Sequence, residues 1–263
     1  MANYVTNGNG KIAYDDAGSG PLVVAIPSMG DVRGEYRFLT PQLTAVGYRV
    51  ASMDVRGHGD SSVGWDDYSV AGVGSDVVAL INALNAGPAM IVGTSMGAGA
   101  AVWAAAEAPD LVTGLVCIGP FVRGGGDFMG RLMAVMFARP WGAAAWLAYY
   151  NSLYPSRKPA DFVAYRAALR TNLAQTGRLE ALQGMLRASK NASEERLPRV
   201  KAPALVLMGS RDPDFKQPET EAGWVAHSLR GHCEMIEDAG HYPHAEMPGV
   251  TGPLIVSFLD SIR

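Results

Sequence analysis

The stretch Ala89-Met90-Ile91-Val92-Gly93-Thr94-Ser95-Met96-Gly97 decides how this chain is read. Its first four residues form a short apolar run, as buried strands do. A run of small residues follows over 98–106 in helix-forming composition, and Pro109 ends it. Between strand and helix, the Gly-x-Ser-x-Gly spacing puts Ser95 at the apex of a sharp turn whose backbone is strained. Gly93 and Gly97 flank that apex because side chains there would collide with it. Gly99, Ala100 and Ala101 let the helix pack close to the strands. The amino terminus of the helix lies beside the serine, where its dipole favours developing negative charge. The five-residue pattern alone is weak, since a Gly-rich turn can carry an incidental serine. The strand before it and the helix after it give it weight.

Outward from this turn the same alternation recurs. Apolar runs at 22–26, 49–53, 89–92, 115–118, 204–208 and 234–236 are bounded by Gly, Pro or Asp, and residues 11–14 follow the Asn7-Gly8-Asn9-Gly10 turn as one arm of a hairpin. Helices are predicted over 36–46, 69–84, 96–107, 219–229 and 252–263. The implied architecture is α/β, a mostly parallel, doubly wound, eight-stranded sheet covered on both faces. The alternation stops between about 121 and 197, which holds no convincing strand but predicts helices over 128–138, 142–152, 161–176 and 179–189. Residues 1–120 and 198–263 therefore read as the core and 121–197 as a helical lid, entered through a Gly124-Gly125-Gly126 hinge. The bulky residues Phe128, Met129, Met133, Met136, Phe137, Trp141, Trp146 and Met185 are expected mostly on the inner faces of that lid, with a few facing a cleft above the sheet.

Composition narrows the class. An apolar fraction of 48%, a charged fraction of 18% and a net charge of −3 describe a globular protein with no electrostatic case for nucleic acid or an anionic membrane. Cys117 and Cys233 both adjoin apolar runs and read as two buried free thiols in a reducing compartment. The polar first ten residues lack a secretory core, and no run approaches the roughly 18 apolar residues of a membrane span. A soluble cytoplasmic protein is expected, with its oligomeric state left open. No His/Cys cluster suggests a metal, and no Gly-x-Gly-x-x-Gly follows a strand to suggest a dinucleotide cofactor.

With these pieces in order, the chain resembles the α/β-hydrolase family over nearly its whole length. Asp54-Val55-Arg56-Gly57-His58-Gly59-Asp60-Ser61 is similar to the family's loop after the fourth strand. The run at 204–208 followed by Gly209-Ser210-Arg211-Asp212 resembles the strand and loop that bring the acid, and Ala239-Gly240-His241 onward resembles the histidine loop. The resemblance implies a serine hydrolase acting on a small acyl substrate, with Ser95 as nucleophile.

A serine hydroxyl needs a base, and histidine, with an ordinary pKa of about 6.5, suits the task. Of five histidines, His241 follows the last strand on the edge that carries the nucleophile turn, with Gly240 giving the backbone freedom to project it. His58 is expected to shape its loop, His227 to sit on a helix surface, His232 at the far end of the sheet, and His244 behind the site or in packing. A carboxylate must hold the imidazole in the tautomer that presents a free nitrogen. Asp212 is the expected acid, and Asp214 competes because Asp212-Pro213-Asp214-Phe215 places both within one turn. The oxyanion formed on attack needs main-chain donors worth roughly 3 kcal/mol each. The amides of Met96 and Met29 are expected to supply them, although Pro27-Ser28-Met29-Gly30 departs from the family's usual His-Gly. Ser28, Phe121 and Trp146 are candidate substrate contacts, and Ser28 could instead bond its own loop.

The implied reaction is hydrolysis of small or medium carboxylic esters. A serine at the elbow argues against relatives that open epoxides or displace halide with an aspartate. A C–C bond hydrolase, a cofactor-free perhydrolase and a slow-turnover ligand sensor would all keep the same residues, and a scaffold without chemistry would leave Ser95 unreactive.

Overall fold

The computed structural model describes residues 2–124 and 128–263, apart from the Met129 side chain. Gly125 and Gly126 of the expected hinge lie outside the described residues. Among the described residues, β1 (Asn3–Asn7), β2 (Gly10–Gly18), β3 (Leu22–Ile26), β4 (Arg49–Met53), β5 (Ala89–Thr94), β6 (Val112–Ile118), β7 (Ala204–Gly209) and β8 (His232–Ile236) form one eight-stranded sheet in the order β1-β2-β4-β3-β5-β6-β7-β8. The pairs β1/β2 and β2/β4 are antiparallel and all others parallel. β2 runs four residues past the predicted arm because Tyr14 to Gly18 pair with β4.

Side chains alternate between two cores, as the period of a strand demands. Val24, Ile91, Leu115 and Val206 face one core, and Val23, Val92, Val116 and Leu207 face the other. The second core is closed by α1 (Leu39–Ala45) and the carboxyl-terminal helix, and the first by α2 (Val70–Leu84) and α3 (Met96–Glu107).

Between β6 and β7 the chain forms α4 (Phe128–Met136), α5 (Gly142–Ser152), α6 (Phe162–Leu173), α7 (Arg178–Arg187) and α8 (Asn191–Glu194), with no strand among the described residues. After β7 come α9 (Pro218–Leu229), α10 (Pro243–Glu246) beyond β8, and α11 (Pro248–Ser261). α11 starts four residues earlier than expected. Pro248 occupies its first turn, where a missing N–H costs nothing, and Pro253 is tolerated inside because Gly249, whose carbonyl it leaves unpaired, is exposed.

The apolar residues of the inserted helices divide in a way periodicity did not reveal. Phe137 and Trp146 are buried among these helices, whereas Met185 joins the core against the sheet. Phe128 (79% exposed), Trp141 (61%) and Met136 (47%) face outward, contrary to expectation. α4 packs on α7, and Phe128, Leu132, Val135 and Met136, at helical spacing along one stripe, face outward. Cys117 is buried as expected, but Cys233 is exposed because β8 is an edge strand.

One buried ion pair ties the amino-terminal hairpin to the rest. Arg56 grips Asp76 of α2 through two 2.8 Å bonds, and Asn7 of β1 donates to the same carboxylate at 2.8 Å. The Arg56 guanidinium also donates to the carbonyls of Asp67 and Gly72 and lies over the Trp65 ring. Breaking a fully buried pair from one side leaves an uncompensated charge. Arg56→Met is expected to lower unfolding free energy by about 3 kcal/mol in urea denaturation; a loss below about 1 kcal/mol would show that the pair is not structurally important.

Candidate active site

The order of strands reverses between β3 and β5, because β4 lies outside β3 on one side while β6 to β8 extend on the other. Loops leaving the carboxyl ends of β3 and β5 therefore part around an open crevice. The first carries Ser28, Met29 and Gly30, the second Ser95.

Ser95 adopts φ 55° and ψ −118°, a region that side-chain-bearing residues rarely occupy. Its amide donates to Ile118 O at the end of β6 (2.8 Å), and its carbonyl accepts from Phe121 (3.1 Å). A Cβ on Gly93 would sit 2.4 Å from Gly97 O, and one on Gly97 would sit 2.4 Å from Ile26 O. The two glycines thus make room for neighbouring main chain, and the turn is locked between β3 and β6.

His241 reaches the same crevice from the loop after β8 and is buried. The expected freedom of Gly240 is not what places it, since Gly240 has no positive φ. A Cβ there would lie 2.3 Å from Leu153 O, so glycine is required for close approach. The His241 amide donates to that Leu153 carbonyl (2.9 Å), and the Gly240 amide to Glu246 Oε2 (2.7 Å). Glu246 Oε1 also accepts from the amides of Ser156 and Arg157, which staples the histidine loop to the helical insertion.

Asp212, buried at the end of β7, bonds His241 Nδ1 at 2.7 Å. Asp214 Oδ2 is 3.7 Å from the same nitrogen. Asp212 is therefore the hydrogen-bonded partner, which leaves Nε2 to face away from the acids. Burial lowers the basicity of His241, but Asp212 and then Asp214 raise it, and the balance lifts its pKa to about 9. Ser95 and His241 border one cavity of about 400 Å³. Among the described residues no hydrogen bond joins the Ser95 hydroxyl to the ring; such contacts are commonly long before substrate binds.

Met29 also borders this cavity, and Met96 opens α3 directly after Ser95. Among the described residues neither of these two amides donates to another protein group. Met29 is positioned by its neighbours. The Gly30 amide donates to His58 Nε2 (3.2 Å), whose Nδ1 lies 3.2 Å from Arg56 O. This pattern assigns the proton to Nδ1, and burial lowers the His58 pKa to about 4, so the ring stays neutral.

Ser28 is held on the other side. Its amide and hydroxyl both donate to Glu35 Oε2 (2.9 and 3.0 Å), and its oxygen is 2.6 Å from the Tyr242 hydroxyl. The hydroxyl bonds its own loop, although Ser28 still borders the cavity, as do Phe121 and Trp146. Trp146 stacks against the main chain of Gly30, where a Cβ would meet the indole at 2.3 Å.

Several residues at the site were not anticipated. Glu35 and Asp31 are buried beneath the β3 loop, and among the described residues no lysine or arginine pairs with either; burial together with Glu35 pushes Asp31 up to about 8. Tyr150 and Tyr165 donate to Asp31, and Tyr149 borders the cavity. Acids in a turn ordinarily read as solvated, so only the density of tyrosines at 149–165 hinted at this. His244 is packed on Tyr36 at 5.3 Å with Nε2 3.2 Å from Glu35, as expected of a residue behind the site. His227 and His232 are exposed.

Comparison with known proteins agrees with this architecture. The alpha/beta hydrolase fold family matches residues 21–248, and the chain belongs to that family. A Bacillus subtilis protein provisionally named 2-succinyl-6-hydroxy-2,4-cyclohexadiene-1-carboxylate synthase is 27% identical over 95% of this chain and 96% of its own length. The 3-oxoadipate enol-lactonase 1 of Acinetobacter baylyi is 25% identical over 98% of this chain and 97% of its own. The solved structure of an esterase from Exiguobacterium antarcticum superposes with a TM-score of 0.86 at 18% identity, covering 99% of this chain and all (100%) of that one, and shows the shared fold.

The strain at Ser95 has a measurable consequence. Relief of an unfavourable φ is worth about 1–3 kcal/mol, and the extra unfolded-state freedom of glycine takes back about 0.5–1. Ser95→Gly is therefore expected to be more stable than Ser95→Ala by about 1 kcal/mol in urea unfolding. Equal stabilities would show that the turn is unstrained.

Proposed function

We propose that this α/β-hydrolase is a serine hydrolase that cleaves small or medium carboxylic esters through an acyl-enzyme, with Ser95 as nucleophile, His241 as base and Asp212 as orienting acid. This reading rests on a strained serine and a carboxylate-bound imidazole that border one cavity with Met29, and on the Met29 and Met96 amides, which among the described residues donate to no protein group. Ester-bond cleavage is also what the names of an enol-lactonase relative and an esterase neighbour describe.

In this reaction Ser95 Oγ attacks the ester carbonyl while Nε2 of His241 takes its proton. The carbonyl oxygen becomes an oxyanion facing the Met29 and Met96 amides, near the amino terminus of α3. Collapse breaks the ester C–O bond, and the imidazolium returns the proton to the departing alkoxide. Water, deprotonated by the same ring, then releases the carboxylic acid and restores Ser95. Asp212 holds the tautomer throughout and stabilises the imidazolium.

The insertion over 121–197 acts as a lid in this scheme. Met133, Trp146 and Leu186 give the cavity an apolar wall suited to an acyl chain, with Phe121 beside the nucleophile. A cavity of about 400 Å³ suits a compact ester rather than a polymer. No helix among the described residues is long and apolar enough to cross a membrane.

Steady-state release of p-nitrophenol from p-nitrophenyl acetate and butyrate tests the reading. Multiple turnovers are expected, and Ser95→Ala should reduce kcat/KM by at least about 10³-fold. Turnover that survives the substitution would place the nucleophile elsewhere, and tight binding without turnover would favour a sensor; either result contradicts the reading. The pH profile follows from the base. Only neutral imidazole accepts the serine proton, so kcat/KM should climb with pH and level off near the raised His241 value of about 9. A plateau already reached at about pH 6.5 would place the base elsewhere.

A further inference from the structure

His241 faces more negative charge than one orienting acid supplies. Besides the 2.7 Å bond to Asp212, its Nδ1 lies 3.7 Å from Asp214 Oδ2. The two carboxylates are mechanically joined, because the Asp214 amide donates to Asp212 Oδ1 at 3.0 Å. The other oxygen of Asp214 accepts a 2.6 Å hydrogen bond from the Tyr149 hydroxyl. Tyr149 belongs to α5 of the inserted helices, and both it and Asp214 border the cavity.

Building on the serine-hydrolase reading above, we propose that Asp214 is a positioning residue for His241, a second carboxylate that tunes the base and links it through Tyr149 to the helices covering the cavity. An N–H bond has one good direction, and Asp212 occupies it. Asp214 therefore acts by charge, favouring the imidazolium and keeping the ring turned towards the acids. Its side chain is only 15% exposed, so solvent screens this effect incompletely.

The other groups around the ring do not duplicate it. Burial lowers the basicity of His241, Asp212 opposes this most, Asp214 comes next, and Glu35 contributes last from beneath the β3 loop. Tyr242 meets the ring edge-on at 5.2 Å, and Phe215 lies at 6.4 Å. The Lys190 ammonium borders the same cavity but is engaged by the carbonyls of Met185 and Ala188. Asp214 is thus the carboxylate facing the base that is itself held by the insertion. A movement of α5 that withdraws Tyr149 would loosen Asp214 and with it the setting of the base.

Asp214→Asn preserves shape and can still accept from Tyr149, but removes the charge. The imidazole signals of His241 titrated by NMR, and the pH dependence of kcat/KM for p-nitrophenyl butyrate, should both move to lower pH by roughly one unit, with KM little changed. Tyr149→Phe, which frees Asp214 without discharging it, should move them less. Asp212→Asn should keep residual turnover that Asp214→Asn, added to it, lowers by a further factor of about 10 or more. An unmoved titration in Asp214→Asn, or a double variant as active as Asp212→Asn, would overturn the proposal. The NMR titration needs no turnover, so it judges Asp214 even if Ser95→Ala proves fully active and the hydrolase reading falls.

Discussion

Everything at the candidate site depends on the conformation of one residue, Ser95, whose φ of 55° is held where a side chain is ordinarily unwelcome. Nothing in the serine itself prefers that geometry. It is imposed by main chain on two sides: Gly93 and Gly97 leave no space for a Cβ, and Ile118 O and the Phe121 amide bond the residue directly. A turn this confined projects Oγ away from the sheet and leaves the next amide, that of Met96, facing the same space. The strain of about 1–3 kcal/mol is tolerable because the flanking strands are buried on both faces and each contributes several times that amount.

Sheet topology converts this local constraint into a site. The crevice at the reversal of strand order sets the Met29 loop opposite Ser95, and the loops after β7 and β8 deliver Asp212 and His241 to the same edge. The electrostatics are lopsided. Asp31, Glu35, Asp212 and Asp214 crowd the region, and the charged groups that answer them directly are few. The protein accommodates this by raising Asp31 towards neutrality and by making His241 unusually basic. A basic imidazole accepts the serine proton readily, but it is neutral in fewer molecules at pH 7.

Much of this was legible in the chain itself. The strands at 22–26 and 49–53 and the helix at 96–107 fall where apolar runs and small residues placed them, because burial and periodicity leave little choice there. That Ser95, Asp212 and His241 would sit in loops at one edge of the sheet was expected from local spacing and the family resemblance, and the spacing alone left Asp214 open beside Asp212. What stayed hidden depends on long-range neighbours. Glu35 is an ordinary acid in a turn until Ser28 and His244 are folded against it. The function of Gly240 as a point of close approach needs Leu153, far away in sequence. α4 carries apolar residues on two faces, so its pattern could not say which one is buried.

In the proposed reaction, a charge formed on the substrate carbonyl is received by two amides while Ser95 is bonded to its carbon. A crystal structure of the chain reacted with a fluorophosphonate ester mimics that state most directly, phosphorus standing in for the tetrahedral carbon. The expected result is phosphorus bonded to Ser95 Oγ and the phosphonyl oxygen within about 3 Å of both the Met29 and Met96 nitrogens. Phosphorus attached to another residue, or an oxygen turned away from both amides, would contradict it.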